Sequence, residues 1–411
     1  MSWLIIADDL SGAADCAIGF AVHGARTVVT LDAAASDGIE QADAVAADVV
    51  AADVDSRRMA PHDAAARNLD AWRAGCGTGR RLYKKIDSTL RGNWAPETAA
   101  LQPVAGLAIV APAFPATGRT TRDGRMLVKG EPLEDTDIWR LEGLTGQADM
   151  VALLAAQGLR TARVSLYTIR TGAAAVQSQL AEWIAEGFQA VVCDAEIEQD
   201  LATLADASIG LDAPVFWVGS GGLARALSNA APIVGTQPAP VTTYRKGSVL
   251  TLVGSLSGVS GKQAACLCER AHMQSLVVPP HALREGPGHA AWAASQHAIA
   301  ECLTAGRDLL VSIGRDDAFD PAEGPILSTA LAQMVLPHFE HVGGLIATGG
   351  ETARAMLAAA GIGALALKRE VEPGVPLSET TGSPARRVVT KAGAFGSETA
   401  LWLAWQAMRQ D

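Results

Sequence analysis

Short apolar runs that end in polar or glycine-rich turns and then pass into helical stretches recur from one end of this chain to the other. The first is residues 3–14, WLIIADDLSGAA. Its apolar residues read as a buried strand, Asp8 and Asp9 as the carboxyl end of that strand, and the Ser-Gly-Ala-Ala that follows as a helix entry. Residues 13–24 keep helical spacing up to a glycine, and residues 27–31 (TVVTL) read as a second strand. Further strands are expected at 44–54, 81–86, 107–113, 161–166, 190–193 and 214–218, then at 249–253, 308–313, 341–347 and 388–391. Helices are expected at 62–74, 173–187, 263–273, 353–360 and 398–408. Alternation of this kind predicts an α/β chain whose sheets are mostly parallel and flanked by helices.

A chain of 411 residues exceeds one ordinary core. Residues 230–247 hold three prolines and no helical period, so a linker is expected at 233–247, between an N-terminal domain (1–232) and a C-terminal domain (248–411). With 49% hydrophobic and 19% charged residues the composition excludes a disordered chain. No run reaches 18 apolar residues, which speaks against a membrane span or membrane partner. The first strand begins within three residues, with no basic region followed by an apolar one, so no secretory leader is expected. Six cysteines without a Cys-x-x-Cys pair point to a reducing cytoplasm and away from structural zinc. His338 and His341 stand three apart beside Pro337, and no residue is assigned as a direct metal ligand. A net charge of −11 argues against a nucleic-acid partner. A small anionic substrate would need a local basic pocket.

Residues 84–93, KKIDSTLRGN, supply such a pocket: two lysines, an arginine, an acid, two hydroxyls and an amide in ten residues. Asp87 or Ser88 could simply cap a helix there, but so many donors beside one glycine suit an oxygen-rich anion. Arg57 and Arg58, after the third strand, are either solvated surface or a fork aimed at a carboxylate. At a sheet's carboxyl edge, Asp8 and Asp9 could take a proton from a hydroxyl, hold a metal or bind a polyol, or Asp9 could merely cap its helix.

The second half carries three glycine turns between strand and helix. These are GSLSGVSGKQ (254–263), TGGET (348–352) and KAGAFG (391–396). Free amides and the helix dipole make such turns phosphate cradles. The first is not a Walker A loop, because Leu256 and Gln263 stand where glycine and Ser or Thr are required, which leaves Lys262 without a P-loop role. Phe395, between two glycines, is either core or a platform for a flat ring. GSGGLA (219–224) formally fits a dinucleotide fingerprint, but no acid follows before Glu269 to bind a ribose, so it reads as a close strand-to-helix turn.

Taken in order, IIADDLSGAAD, DSRR, KKIDSTLRGN, GSGGLA, VGSLSGVSGKQ, TGGETA and KAGAFG resemble the four-carbon acid sugar kinase family over nearly the whole chain. Ser11 and Ala14 stand where many relatives have Thr and Asn, and the ADDL form is closer to the threonate and erythronate kinases than to the 3-oxo-tetronate kinases. The resemblance implies an N-terminal acid-sugar domain, a C-terminal ATP domain and an active site in the cleft between them. It implies transfer from Mg2+-bound ATP to the C4 hydroxyl of a four-carbon acid, with D-threonate first and D-erythronate or 3-oxo-tetronate as alternatives. Asp8, Asp9 and Lys85 would be catalytic, and Asp9, Arg57, Lys85, Ile86, Asp87, Ser88 and Arg91 would contact substrate. Ser255, Gly349, Gly350, Glu351, Thr352, Gly393, Phe395 and Gly396 would hold ATP. An NAD-dependent dehydrogenase and a non-catalytic metabolite sensor are the remoter readings, and a homodimer is compatible with all of them.

Overall fold

The structure is a computed structural model and describes residues 2–31, 46–76, 79–230, 242–316, 320, 323–393 and 395–410. The first two residues of the strand expected at 44–54, most of the expected linker (233–241) and Ala394 of the last glycine turn lie outside the described residues. The chain divides into two compact units, Met1–Gly235 and Thr236–Asp411. The described end of the expected linker packs with the second unit, where Tyr244 bridges to Ala385 and the Arg245 amide donates to the Ala385 carbonyl at 2.8 Å.

In the first unit β1 (Trp3–Ala7), β2 (Thr27–Leu31), β3 (Val49–Asp53), β4 (Arg81–Lys85) and β5 (Leu107–Ala111) are followed by a small antiparallel sheet of β6 (Arg119–Arg122), β7 (Arg125–Val128) and β8 (Glu131–Pro132). Then come β9 (Thr161–Val164), β10 (Ala190–Cys193) and β11 (Val215–Gly219). The large sheet runs in the order β2-β3-β1-β4-β11-β5-β10-β9, with parallel pairing throughout. Every residue of β1, β2, β3 and β5 is buried, as expected of a parallel sheet covered on both faces. Trp3 anchors that core, its ring 5.1 Å from Trp217 and 5.3 Å from Phe20.

Several features go beyond the strand and helix pattern read above, two of them instructive. Residues 119–132 form the β6–β8 sheet. Its first turn is Asp123-Gly124, with φ of 54° and 74°, the conformation a two-residue hairpin of this twist requires. The buried Asp194 carboxylate, at the end of β10, accepts from the amides of both turn residues at 3.0 and 2.8 Å. Trp94–Ala105 is a helix despite Pro96 and Pro103. Pro96 falls in the first turn, where the missing N–H has no intrahelical partner.

The second unit contains β12 (Ser248–Val253), β13 (Gln274–Val278), β14 (Leu309–Ile313), β15 (Val342–Thr348), β16 (Ala364–Glu372), β17 (Val375–Thr380) and β18 (Arg387–Lys391). They lie in the order β13-β14-β12-β15-β18-β17-β16. The strands from β13 to β18 in that order pair parallel, and β17 is antiparallel to β18 and to β16. The helix expected to begin at residue 263 begins at Gly258 instead. Its N-cap is Ser257, whose hydroxyl accepts from the Ser260 amide, so the glycines and serines of this turn are the first helical turn and its cap.

Both sheets place chain reversals at their centres. From β1 the chain goes to β2 and β3 on one side and then to β4 on the other. From β12 it goes to β13 and β14 on one side and to β15 on the other. The carboxyl ends at such a switch are where open α/β sheets bind ligands.

Candidate active site

In the first unit the three adjacent strands β3, β1 and β4 each deliver charged residues to the carboxyl edge. Asp8 and Asp9 follow β1, Arg57 follows β3, and Lys85 ends β4 ahead of Asp87 and Arg91. The Arg57 guanidinium donates from Nε to Asp8 Oδ2 at 2.7 Å, and its Nη2 lies 3.0 Å from Asp9 Oδ1 and 3.8 Å from Asp87 Oδ2. Lys85 Nζ donates to Asp8 Oδ1 at 2.9 Å and to Asp9 Oδ1 at 2.6 Å. Arg91 clamps Asp87 with two bonds, Nε to Oδ1 at 3.1 Å and Nη2 to Oδ2 at 2.7 Å. Gly12 is what lets Lys85 reach, since a Cβ there would stand 2.0 Å from the lysine Cε and Nζ.

The two acids after β1 differ. Asp8 is buried, and burial raises its carboxyl pKa, but Arg57 and Lys85 outweigh that and hold it well below the usual carboxylate range. Asp87 is held low in the same way, burial opposed by Arg91 and Arg57. Lys85, though buried, is raised by Asp8 and Asp9. Asp9 is a quarter exposed. It is the helix N-cap, accepting from the Gly12 amide at 3.1 Å, and it is also the partner of Lys85 and Arg57. Capping and site chemistry therefore coexist. Among the described residues all these contacts fall on Oδ1, which leaves Oδ2 as an acceptor facing no protein donor. Ser11 Oγ, two residues on, is buried without a hydrogen-bond partner among the described residues.

Of the other expected substrate contacts, Ser88 is half-buried in the turn after β4. The Ile86 side chain is buried and its amide donates to the Gly219 carbonyl at 2.8 Å, so Ile86 presents no side chain to a ligand. Arg58 is exposed. Sequence reasoning missed a supporting layer. Lys84 Nζ lies 2.8 Å from Glu97 Oε2, fully buried, and Glu97 also accepts from the Ser56 hydroxyl. Asn93 Nδ2 donates to the carbonyls of Ser56 and Met59 at 3.0 and 2.9 Å, fixing the loop that carries Arg57.

In the second unit the turns after β12, β15 and β18 converge. A Cβ on Gly254 would lie 1.7 Å from Thr352 Oγ1, and one on Gly393 would lie 2.1 Å from Ser255 Oγ. Gly349, at φ of 100°, packs against Gly254 and the Ser255 amide. Ser257 and Ser260 both donate to the Gly393 carbonyl, at 3.2 and 2.7 Å, and Thr352 Oγ1 lies 3.0 Å from Ser328 Oγ. Gln263 binds the carbonyls of Phe395, Gly396 and Ser397 at 3.0, 3.3 and 2.8 Å. Thus Ser255, Gly349, Thr352 and Gly393 come together, with Gly350 and Glu351 in the first turn of the helix Gly350–Ala359. Phe395 is half-buried and lies over Gly374, so it is not a core residue. The small, close-set backbone fits a polyphosphate. Among the described residues no group of three or more His, Cys, Asp or Glu is placed to hold a metal ion.

Gly221 and Gly222 are buried: a Cβ would meet Asp15 Oδ2 at 2.2 Å and the Ala113 carbonyl at 2.5 Å. These glycines let their helix pack closely on the helices Leu10–Val22 and Glu198–Ile209 and on the segment after β5.

Comparison with known proteins agrees with this division. Residues 3–227 match the model of a sugar-binding N-terminal domain, and residues 250–401 that of a nucleotide-binding C-terminal domain. The chain is 70% identical to a D-threonate kinase of Cupriavidus necator, covering 100% of this chain and 99% of that one. It is 32% identical to a D-erythronate kinase of Heliobacterium modesticaldum, over 97% of this chain and 94% of the relative. A protein of known crystal structure from Salmonella typhimurium LT2 shares the fold at a TM-score of 0.82 and 23% identity, over 99% of both chains. With both halves matched and full-length relatives at these identities, the chain belongs to the four-carbon acid sugar kinase family.

Proposed function

We propose that this chain phosphorylates the C4 hydroxyl of D-threonate with ATP. The observation that carries this reading is the 70% identity, end to end, to a D-threonate kinase. The geometry fits it. Arg57, Lys85 and Arg91 stand at one sheet edge paired with Asp8, Asp9 and Asp87, so within a chain of net charge −11 this edge is locally balanced and offers guanidinium and ammonium donors to a small carboxylate. Asp9 offers Oδ2 to the reacting hydroxyl and accepts its proton. Asp8, held ionised by Arg57 and Lys85, orients those two cations. The orphaned Ser11 hydroxyl supplies a further bond to a polyol.

The loops at Ser255, Gly349–Thr352 and Gly393–Gly396 hold the nucleotide phosphates through backbone amides and hydroxyls. Mg2+, brought with ATP, would neutralise phosphate charge there. Phosphoryl transfer demands alignment and charge neutralisation more than covalent chemistry, which is what these two sets of residues provide. Cytoplasmic residence fits the free thiols of Cys16, Cys193, Cys266, Cys268 and Cys302, and among the described residues no helix is long and apolar enough to cross a membrane.

A coupled ADP-release assay over D- and L-threonate, D- and L-erythronate and 3-oxo-tetronate tests the proposal. D-threonate should give the highest kcat/KM. A higher value for any of the others would replace it as substrate, and no ADP from any would end the kinase reading.

A further inference from the structure

Three lysines are buried among the described residues, each at the end of a strand: Lys84, Lys85 and Lys391. The first two face carboxylates, Glu97 in one case and Asp8 and Asp9 in the other. Lys391 makes no ion pair among the described residues, and the Glu372 carboxylate acts on it only at longer range. Its Nζ donates to Thr348 Oγ1 and to the Gly393 carbonyl, both at 3.1 Å, and both are neutral. An ammonium withdrawn from water loses several kcal/mol of hydration unless an anion replaces it, and two neutral acceptors replace it only in part.

The place of this cation points to a polyanion. Gly393, which accepts from Lys391, also accepts from Ser257 and Ser260, and Thr348 Oγ1 lies 3.4 Å from Ser260 Oγ. The backbone repeats the connection: the Gly349 amide donates to the Lys391 carbonyl at 3.0 Å and the Gly254 amide to the Thr348 carbonyl at 3.2 Å. The buried charge and the three glycine turns are one hydrogen-bonded unit.

We propose that Lys391 is the positioning cation of the nucleotide site: it holds Thr348 and the Gly393 loop for the polyphosphate, supplies positive field beneath it, and takes a proton from solvent as a nucleoside di- or triphosphate binds. This deepens the nucleotide reading of the second unit and rests on it. Without nucleotide, burial pushes the lysine down to about 8. The charged group acting on it is Glu372, at the end of β16, whose carboxylate opposes that shift and is itself fixed by the Ser397 amide and hydroxyl at 2.7 and 2.8 Å. From β15 it meets the Thr348 hydroxyl, and the Ser257 and Ser260 hydroxyls share the Gly393 carbonyl with it. A phosphate dianion nearby favours the charged form and raises the pKa. Affinity is then level below about pH 8 and falls as pH rises above it, up to about tenfold per unit, until the bound-state pKa is passed.

The test is calorimetric titration of ADP into the full chain at pH 8.5, in two buffers of different ionisation enthalpy. Wild type should take up more than about half a proton per ADP. Lys391→Met should weaken ADP at least about tenfold and abolish the uptake, and Lys391→Arg should keep most of the affinity but show no uptake. Affinity for the acid sugar should not change in either. ADP binding by wild type without proton uptake overturns the proposal, as does a Lys391→Met chain that binds ADP as tightly as wild type. If Lys391→Met fails to fold, wild type and Lys391→Arg decide it. A wild-type chain that binds no ADP removes the nucleotide reading and this inference together.

Discussion

Lys84 and Lys85 are neighbours on β4 and make their ion pairs on opposite faces of it, Lys84 with Glu97 of the helix Trp94–Ala105 and Lys85 with Asp8 and Asp9. The period of two along a strand enforces this division. One lysine belongs to the ligand edge and the other to the frame behind it. Because Glu97 also binds Ser56, next to Arg57, the inner pair supports the placement of the outer cations.

Breaking the inner pair should therefore act on stability. Lys84→Met leaves Glu97 buried without its cation and should cost ~3–5 kcal/mol, read by urea denaturation. Combining Lys84→Met with Glu97→Leu should recover most of that, because an apolar pair replaces an ionic one. Costs that simply add in the double variant would show that the two groups do not act together.

Asp9 and Asp8 should separate by kinetics. Asp9→Asn removes the proton acceptor and should lower kcat by ~10² to 10⁴, with ADP affinity unchanged. Asp8→Asn removes the partner that aims Arg57 and Lys85, so it should raise KM for the acid more than it lowers kcat. Asp9→Asn turnover within a few-fold of wild type would take the base role away from Asp9.

Much of this was legible because the carboxyl ends of parallel strands are marked twice in sequence, by the end of an apolar run and by the start of a polar or glycine turn. WLIIADD and KKIDSTLRGN identify Asp8, Asp9, Lys85, Asp87 and Arg91 before any coordinates, and these residues do meet. The supporting residues carry no such mark. Glu97 lies in a helix whose two prolines hide its period, and only the ion pair itself shows that its carboxylate is spent on Lys84. Nor does sequence show that Lys391 lacks an ion-pair partner among the described residues, because that depends on what neighbouring strands bring alongside it. The β16–β17 pair escaped as well, the apolar run of its first strand being interrupted by charges at residues 368–370 and 372.

Glycine substitutions should tell the two units apart. At Gly393 and Gly254 the obstacle to a side chain is space, since Ser255 Oγ and Thr352 Oγ1 would lie 2.1 and 1.7 Å from a Cβ. Gly393→Ala or Gly254→Ala should raise KM for ATP at least about tenfold while leaving KM for the acid within about twofold. Gly12→Ala should do the reverse, because its Cβ would displace the Lys85 ammonium. The same shift in both KM values for every variant would mean that the glycines act through global stability.

Acid should expose the charge network. The Asp8 and Asp87 carboxyls are raised by burial but held lower still by Arg57, with Lys85 and Arg91, below their ordinary value of 3.8. Depressed carboxyl groups contribute stability that is present above about pH 4 and is lost as pH falls through their folded-state pKa, because the unfolded chain then binds more protons. Arg57→Met removes a cation that both acids share, so both pKa values should move upward and that loss should begin at higher pH. Tryptophan fluorescence followed from pH 6 to pH 2 should place the acid-unfolding midpoint of Arg57→Met about one unit or more above that of wild type. Exposed charges could not give this result, since surface pairs contribute ~0–1 kcal/mol. Coincident midpoints would mean that Arg57 does not stabilise the ionised form of either acid.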